Sequence, residues 1–322
     1  MKTKPILTLV ALTTVLPELF SGSTPLPSFI LRPGLVFFLA LGYGVSVLLV
    51  RELWIRCGGG LLGLFLMGLG YSLFNEGLLA KTLVGDQNLP INQYDHYGYW
   101  FGLSYPWMAA IGVWHACASV LFPIILTHHY FPEAAPLRWM KGWLAVTIAA
   151  LFLFLGSSGF LHPSEKGVTG TPTQLVELFA LMVVLFGLGG VFRGRPPARQ
   201  FTWTRKPFFL GFSVIVPFWG FIFLAARKVP APLFFLALAA VVQFYAWQLR
   251  RRQWLALPAL AIFGLGWYLH NALQAALFIA VPAGEPARAL ATLVVDLLIL
   301  VVLFRGVRSR FAPSEVPTVT PA

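Results

Sequence analysis

Ten apolar stretches, most near the length of a membrane-crossing helix, alternate along the chain with short polar or basic breaks. They cover residues 5–21, 34–50, 58–80, 103–127, 141–160, 173–192, 207–225, 231–248, 254–281 and 288–304. Crossing a bilayer takes roughly 20 mostly apolar residues. The pattern therefore predicts an all-α, polytopic transmembrane helix bundle, with residues 1–310 as a single integral membrane domain. The Pro/Thr/Val-rich tail, 311–322, is expected to be disordered. Residues 5–21 read either as a cleaved signal peptide or as an uncleaved first span; Phe20-Ser-Gly-Ser is a poor cleavage site, which favours the span. Stretches 207–225 and 231–248, joined by Arg227-Lys-Val-Pro230, form either a tight hairpin or one broken helix.

The polar breaks carry an orientation signal. With ten spans and the N-terminus inside, seventeen of the 23 Lys and Arg residues fall on the cytoplasmic side. Such a bias predicts cytoplasmic N- and C-termini. Segment 193–206 holds five of these charges and two adjacent prolines, and is expected to touch anionic lipid head groups. The opposite side carries an aromatic loop, Tyr94 to Trp107. It reads as an interfacial belt or as a lid, with Asp95 and His96 as gate residues.

One stretch breaks the apolar pattern from within. Gly68, Ser72, Glu76 and Ala80 recur at four-residue spacing, and Gly63, Gly70 and Gly77 at seven. Small residues let helices approach closely in lipid. A carboxyl in a span costs about 2.5–3.5 kcal/mol on insertion scales, so it faces protein or a wet cavity. Glu76, with Asn75 beside it, is thus predicted to point into the bundle. Counting depth along each span places His115, His270, Asn271, Gln274 and Asp296 in comparable layers. By contrast, Glu52 with Arg51 and Arg56 reads as an interfacial ion pair.

Composition narrows the class. The chain has 322 residues, 58% hydrophobic and 11% charged, with mean hydropathy +0.79. Soluble domains carry roughly 25% charged residues. A net charge of +12 suits basic cytoplasmic loops, and no basic, aromatic-interleaved soluble segment points to nucleic acid. Two cysteines, Cys57 and Cys117, fall at different depths and form no redox or zinc motif. The setting is the inner (plasma) membrane, crossed many times.

Glu76, His115, His270 and Asp296 together suggest a site that moves a proton or, through His115 and His270, holds a metal. The plain alternative is interhelical hydrogen bonding, worth about 0.6 kcal/mol per bond on average.

Two resemblances bear on this. Pro-Glu-Leu-Phe-Ser-Gly-Ser-Thr-Pro (17–25), Arg-Glu-Leu (51–53) and Gly-Leu-Gly-Tyr-Ser-Leu-Phe-Asn-Glu-Gly (68–77) resemble a group of bacterial multipass membrane proteins of unknown function. Asn75-Glu76, Ile111-x-x-x-His115 and His270-x-x-x-Gln274 are similar to three motifs of the CAAX-protease and bacteriocin-processing family. Asn75 stands for a glutamate of that family, Ala80 for its arginine, Ile111 for its phenylalanine and Gln274 for its asparagine.

The second resemblance implies a membrane-embedded hydrolase. In it Glu76 is the general base, His115 and His270 orient water or metal, and Asp296, Asn75, Asn271 and Gln274 support. A proton-coupled transporter using the same residues, and a non-catalytic assembly or lipid-interacting protein, are the alternatives. Neither the cofactor nor the substrate is readable.

Overall fold

The computed structural model describes residues 2–85, 94–163, 167–194, 197–277 and 286–311. It is an all-α bundle. The helices are α1 Thr3–Ser21, α2 Leu26–Leu31, α3 Pro33–Arg56, α4 Leu61–Leu79, α5 Tyr105–Tyr130 and α6 Gly142–Phe160. They continue as α7 Pro172–Val191, α8 Lys206–Ala226, α9 Ala231–Arg251, α10 Leu257–Ala275 and α11 Pro286–Ser309. Each predicted span is matched by one helix; residues 278–281 of the ninth span, and the tail from 312 on, lie outside the described residues.

Local chemistry sets the ends. Proline stands in the first turn of α5, α7, α8, α9 and α10, where its missing N–H costs nothing. Thr171 and Gln174 close a capping box at the start of α7. Gly22, at φ +73°, ends α1 in the left-handed conformation.

Among the described residues, nine helices are long and apolar enough to cross a membrane. Helix α10 falls short because it carries Trp267, His270, Asn271 and Gln274. Nearly all of it is buried, so it need not meet lipid. Helix α4 is the other central element. Its two glycine rows serve two neighbours, as their spacing predicts. A Cβ on Gly68 would sit 2.7 Å from the Ala116 Cα of α5, and one on Gly63 2.6 Å from the Gly189 carbonyl of α7. On the far side, Gly211 and Gly266 bring α8 and α10 into backbone contact.

Helices α6, α7, α8, α9 and α11 turn residues such as Phe154, Val183, Val216, Leu236 and Val302 outward. Such faces suit lipid. Segment 207–248 is a hairpin of two helices rather than one broken helix: Ser213 meets Tyr245 at 3.0 Å, and Phe221 meets Phe234 at 5.5 Å.

At one end of the bundle, the aromatic loop forms a two-stranded hairpin, β1 Tyr99–Trp100 paired with β2 Leu103–Ser104. The stacked rings of Trp100 and Phe101 are exposed, while Tyr94 is buried against Trp107. At the other, basic end, α3 runs past residue 50 and buries Arg51 and Glu52 completely. Arg51 donates to the carbonyls of Ala135 and Leu137 and to His128 Nε2, and lies over the Trp139 ring. Glu52 accepts from Arg56 and from the Trp139 backbone N–H. The pairing of Glu52 with Arg56 stands as predicted, but the cluster is a buried clamp on the α5–α6 connection.

The basic bias and this geometry give a first testable outcome. In a cysteine-free background, cysteines at Ala198 and Trp100, both exposed and at opposite ends, should label from the cytoplasmic and the outer side respectively. Labelling of both from one side would remove the orientation.

Candidate functional site

Among the described residues, three membrane helices leave α geometry for a π-helical stretch within the span. These are Ala40–Val45 in α3, Leu73–Leu79 in α4 and His115–Leu121 in α5. Such widened turns are rare and concentrate at functional sites. Here all three supply side chains to one place: Tyr43, then Asn75 and Glu76, then His115 and Ser119.

His115 Nε2 lies 2.8 Å from Glu76 Oε1, and His115 Nδ1 lies 2.8 Å from Ser119 Oγ. Thr82 donates its hydroxyl to the other Glu76 oxygen and accepts from Trp107 Nε1 at 3.1 Å. Asn75 Nδ2 donates to the Tyr43 hydroxyl at 3.2 Å. Tyr43 in turn lies within electrostatic range of both Glu76 and Glu18. The result is an unbroken chain, Trp107–Thr82–Glu76–His115–Ser119, in which every link is a hydrogen bond.

That chain tolerates two protonation levels. With Glu76 ionised, His115 Nε2–H donates to it and the Ser119 hydroxyl donates to Nδ1. Adding a proton to His115 reverses one bond only: Nδ1 then donates to Ser119 Oγ, whose hydroxyl rotates. The contacts of His115 with Glu76 and with Ser119 both persist either way.

The pair opens on a cavity of about 1040 Å³. Glu18, Tyr94 and Trp107 line it near the hairpin end, and Leu61 and Arg250 near the basic end. It therefore runs much of the length of the bundle. Its walls are mainly apolar and aromatic, with Phe218 and Trp219 of α8 and Val241 and Tyr245 of α9 on one side.

The predicted residues divide. Glu76 and His115 touch, and Asn75 borders both. His270, Asn271 and Gln274 line the same cavity, and Asn271 Oδ1 accepts from Trp114 Nε1 at 3.4 Å. Asp296 is buried on α11 but is not among the cavity-lining residues. Asp95 and His96 do not line it either. Among the described residues, no three His, Cys, Asp or Glu side chains gather as metal ligands.

Sequence reasoning missed Glu18, Tyr43 and Thr82 as members, whereas Ser119 follows His115 by one turn on the same face. The signal for Glu18 was present: Pro17-Glu-Leu-Phe-Ser-Gly-Ser-Thr-Pro25 spans the last turn of α1 and the turn after it, which Glu18 closes by accepting from the Thr24 hydroxyl.

A family model matches residues 7–250 of the chain. It describes an uncharacterized membrane protein family. The chain belongs to that family. The match takes in Glu18, Tyr43, Glu76 and His115, whereas His270 and Gln274, which carry the third protease-like motif, lie beyond it. No curated protein and no solved structure matches the chain.

Proposed function

We propose that this member of the family is a proton-coupled carrier of a small amphipathic molecule, with Glu76 and His115 as the proton-binding pair. One observation carries the reading: a single long, largely apolar cavity, with the Glu76–His115 pair in its wall and polar groups at both ends. Ligand cavities of about 300–1,000 Å³ accommodate drug-sized molecules. A pair that gains a proton without losing a hydrogen bond can couple that gain to occupancy of the space beside it. The basic end, with Arg199, Lys206, Arg251 and Arg252 around a second cavity, then faces the cytoplasm and its anionic lipid head groups.

The hydrolase reading fares less well. Both Glu76 oxygens already accept a bond, from His115 and Thr82, so a water to be activated has only their second lone pairs to approach. Glu76 and His115 supply two donors where a catalytic zinc has three protein ligands. Ser119 is fully buried and outside the cavity wall, which withholds it from any substrate.

The test is movement of fluorescently tagged single-chain amphiphiles across proteoliposomes, read by external quenching under an imposed pH gradient. The carrier should accelerate at least one probe, with a rate that follows the gradient. Glu76→Gln should fold normally and lose the pH response. Probes crossing no faster than in protein-free vesicles would sink the carrier. Release of a free head group by the wild type alone would replace it with the hydrolase.

A further inference from the structure

Four side chains on one face of α10 stand at i, i+3, i+4 and i+7: Trp267, His270, Asn271 and Gln274. All four line the cavity. Trp267 is 8%, His270 1% and Asn271 3% exposed. Among the described residues, Trp267 Nε1, His270 Nε2, Asn271 Nδ2 and Gln274 Nε2 are buried and have no hydrogen-bond partner. A buried polar atom left unpaired costs about 1–3 kcal/mol. Four in a row along two turns of one helix, all at one cavity wall, form a pattern that packing alone gives no reason for.

The roles of these atoms follow from their other contacts. Trp114 Nε1 can only donate, so the Asn271 oxygen accepts from it and Nδ2 is the free donor. Trp267 Nε1 and Gln274 Nε2 are donors by nature. His270 Nδ1 lies 2.9 Å from the Trp267 carbonyl and must donate to it. That leaves Nε2 of the neutral ring as an acceptor. The face thus offers three donors with one acceptor among them.

Resting on the carrier reading, we infer that α10 is the recognition face of the cavity, and that its ligand bears a neutral, hydroxyl-rich head group of glycosyl type on an apolar chain. A hydroxyl both accepts and donates, so a ring of hydroxyls satisfies all four atoms. A phosphate accepts but cannot donate to His270, and it brings negative charge into a cavity that holds Glu18 and Glu76. An ammonium donates but cannot accept from Trp267, Asn271 or Gln274. From Trp267 to Gln274 the helix rises roughly 10 Å, which suits a head group with several hydroxyls rather than a single alcohol. The apolar walls from α8 and α9 take the chain. Trp114, which donates to Asn271 and packs edge-on to His115 at 4.8 Å, joins this face to the proton-binding pair.

The experiment is binding to the purified full chain in nanodiscs, using octyl glucoside, octyl phosphocholine and octyl sulfate, each below its micellar concentration. Octyl glucoside should bind most tightly. Asn271→Leu and Trp267→Phe should each weaken it about tenfold, the size of one lost buried hydrogen bond, and leave octyl sulfate unaffected. Without ligand, Gln274→Met should melt no lower than wild type, because it removes an unpaired polar group. Equal affinity for the three heads, or glucoside binding untouched by all three substitutions, would overturn the inference. Glucoside binding lost in the variants but never accompanied by movement across vesicles sinks the carrier and keeps the recognition face. Movement of the phosphocholine probe, unaffected by the α10 variants, does the reverse.

Discussion

Glu52→Ala is expected to stop the protein accumulating in membranes, or to lower its stability in detergent by roughly 3–5 kcal/mol, the cost of stranding a buried charge. Glu52 is fully buried, 3.4 Å from Arg51 and 2.9 Å from Arg56. Removing its carboxylate leaves Arg51 as a buried cation whose remaining partners are carbonyls, His128 and the Trp139 ring. It also strips the Trp139 N–H of its acceptor. The α5–α6 connection then loses the clamp that holds it to α3. Leu53→Ala, one residue on and part-exposed, is the control and should be nearly silent. Melting of the two purified variants decides it: if they unfold together, the clamp contributes nothing.

Gly68→Ala is the second large effect, and its sign is the informative part. Alanine is ordinarily the better helix former, by about 1 kcal/mol. At Gly159 of α6, where a Cβ meets nothing within 4 Å, Gly→Ala should be neutral or stabilising. At Gly68 the same methyl lands 2.7 Å from the Ala116 Cα, which is backbone and cannot rotate away. Overpacking of this kind costs about 1–3 kcal/mol. Since Ala116 follows His115, pushing α5 off α4 also lengthens the His115–Glu76 bond. Gly68→Ala should therefore lose both stability and the pH response of the proposed transport, while Gly159→Ala loses neither. Equal melting of the two would show that α4 and α5 are not in tight contact.

These helices were legible in the sequence because the bilayer imposes one length and one polarity on every span. Even α10, less apolar than the rest, was readable from Leu257 to Phe263 and from its place between basic loops. Glu76 and His115 were legible because a charge or an imidazole within an apolar run has to face protein. Asp296 was grouped with them on depth alone. Depth fixes height along the bundle and says nothing of which way round the helix a side chain points, and Asp296 does not line the cavity. Thr82 was hidden because it lies past the end of α4, and Tyr43 for a different reason. Hydroxyl residues are unremarked in a span, and the periodic reading assumed about 3.6 residues per turn. Asn75 and Glu76, adjacent and so about 100° apart on an α-helix, both reach the site because the turn that holds them is wider.

Those widened turns change how relatives should be compared. Each fits one more residue into a helical turn than the α ladder allows, without lengthening the helix to match. A relative whose alignment closes up by a single residue within 40–45, 73–79 or 115–121 has straightened that helix. Residues beyond the gap keep their face, because the wide turn had absorbed the extra residue, but those inside the turn are re-aimed. Such a protein keeps the spans, the hydropathy and the family resemblance, yet its glutamate and histidine face different neighbours. Gaps, more than substitutions, mark which members share this chemistry.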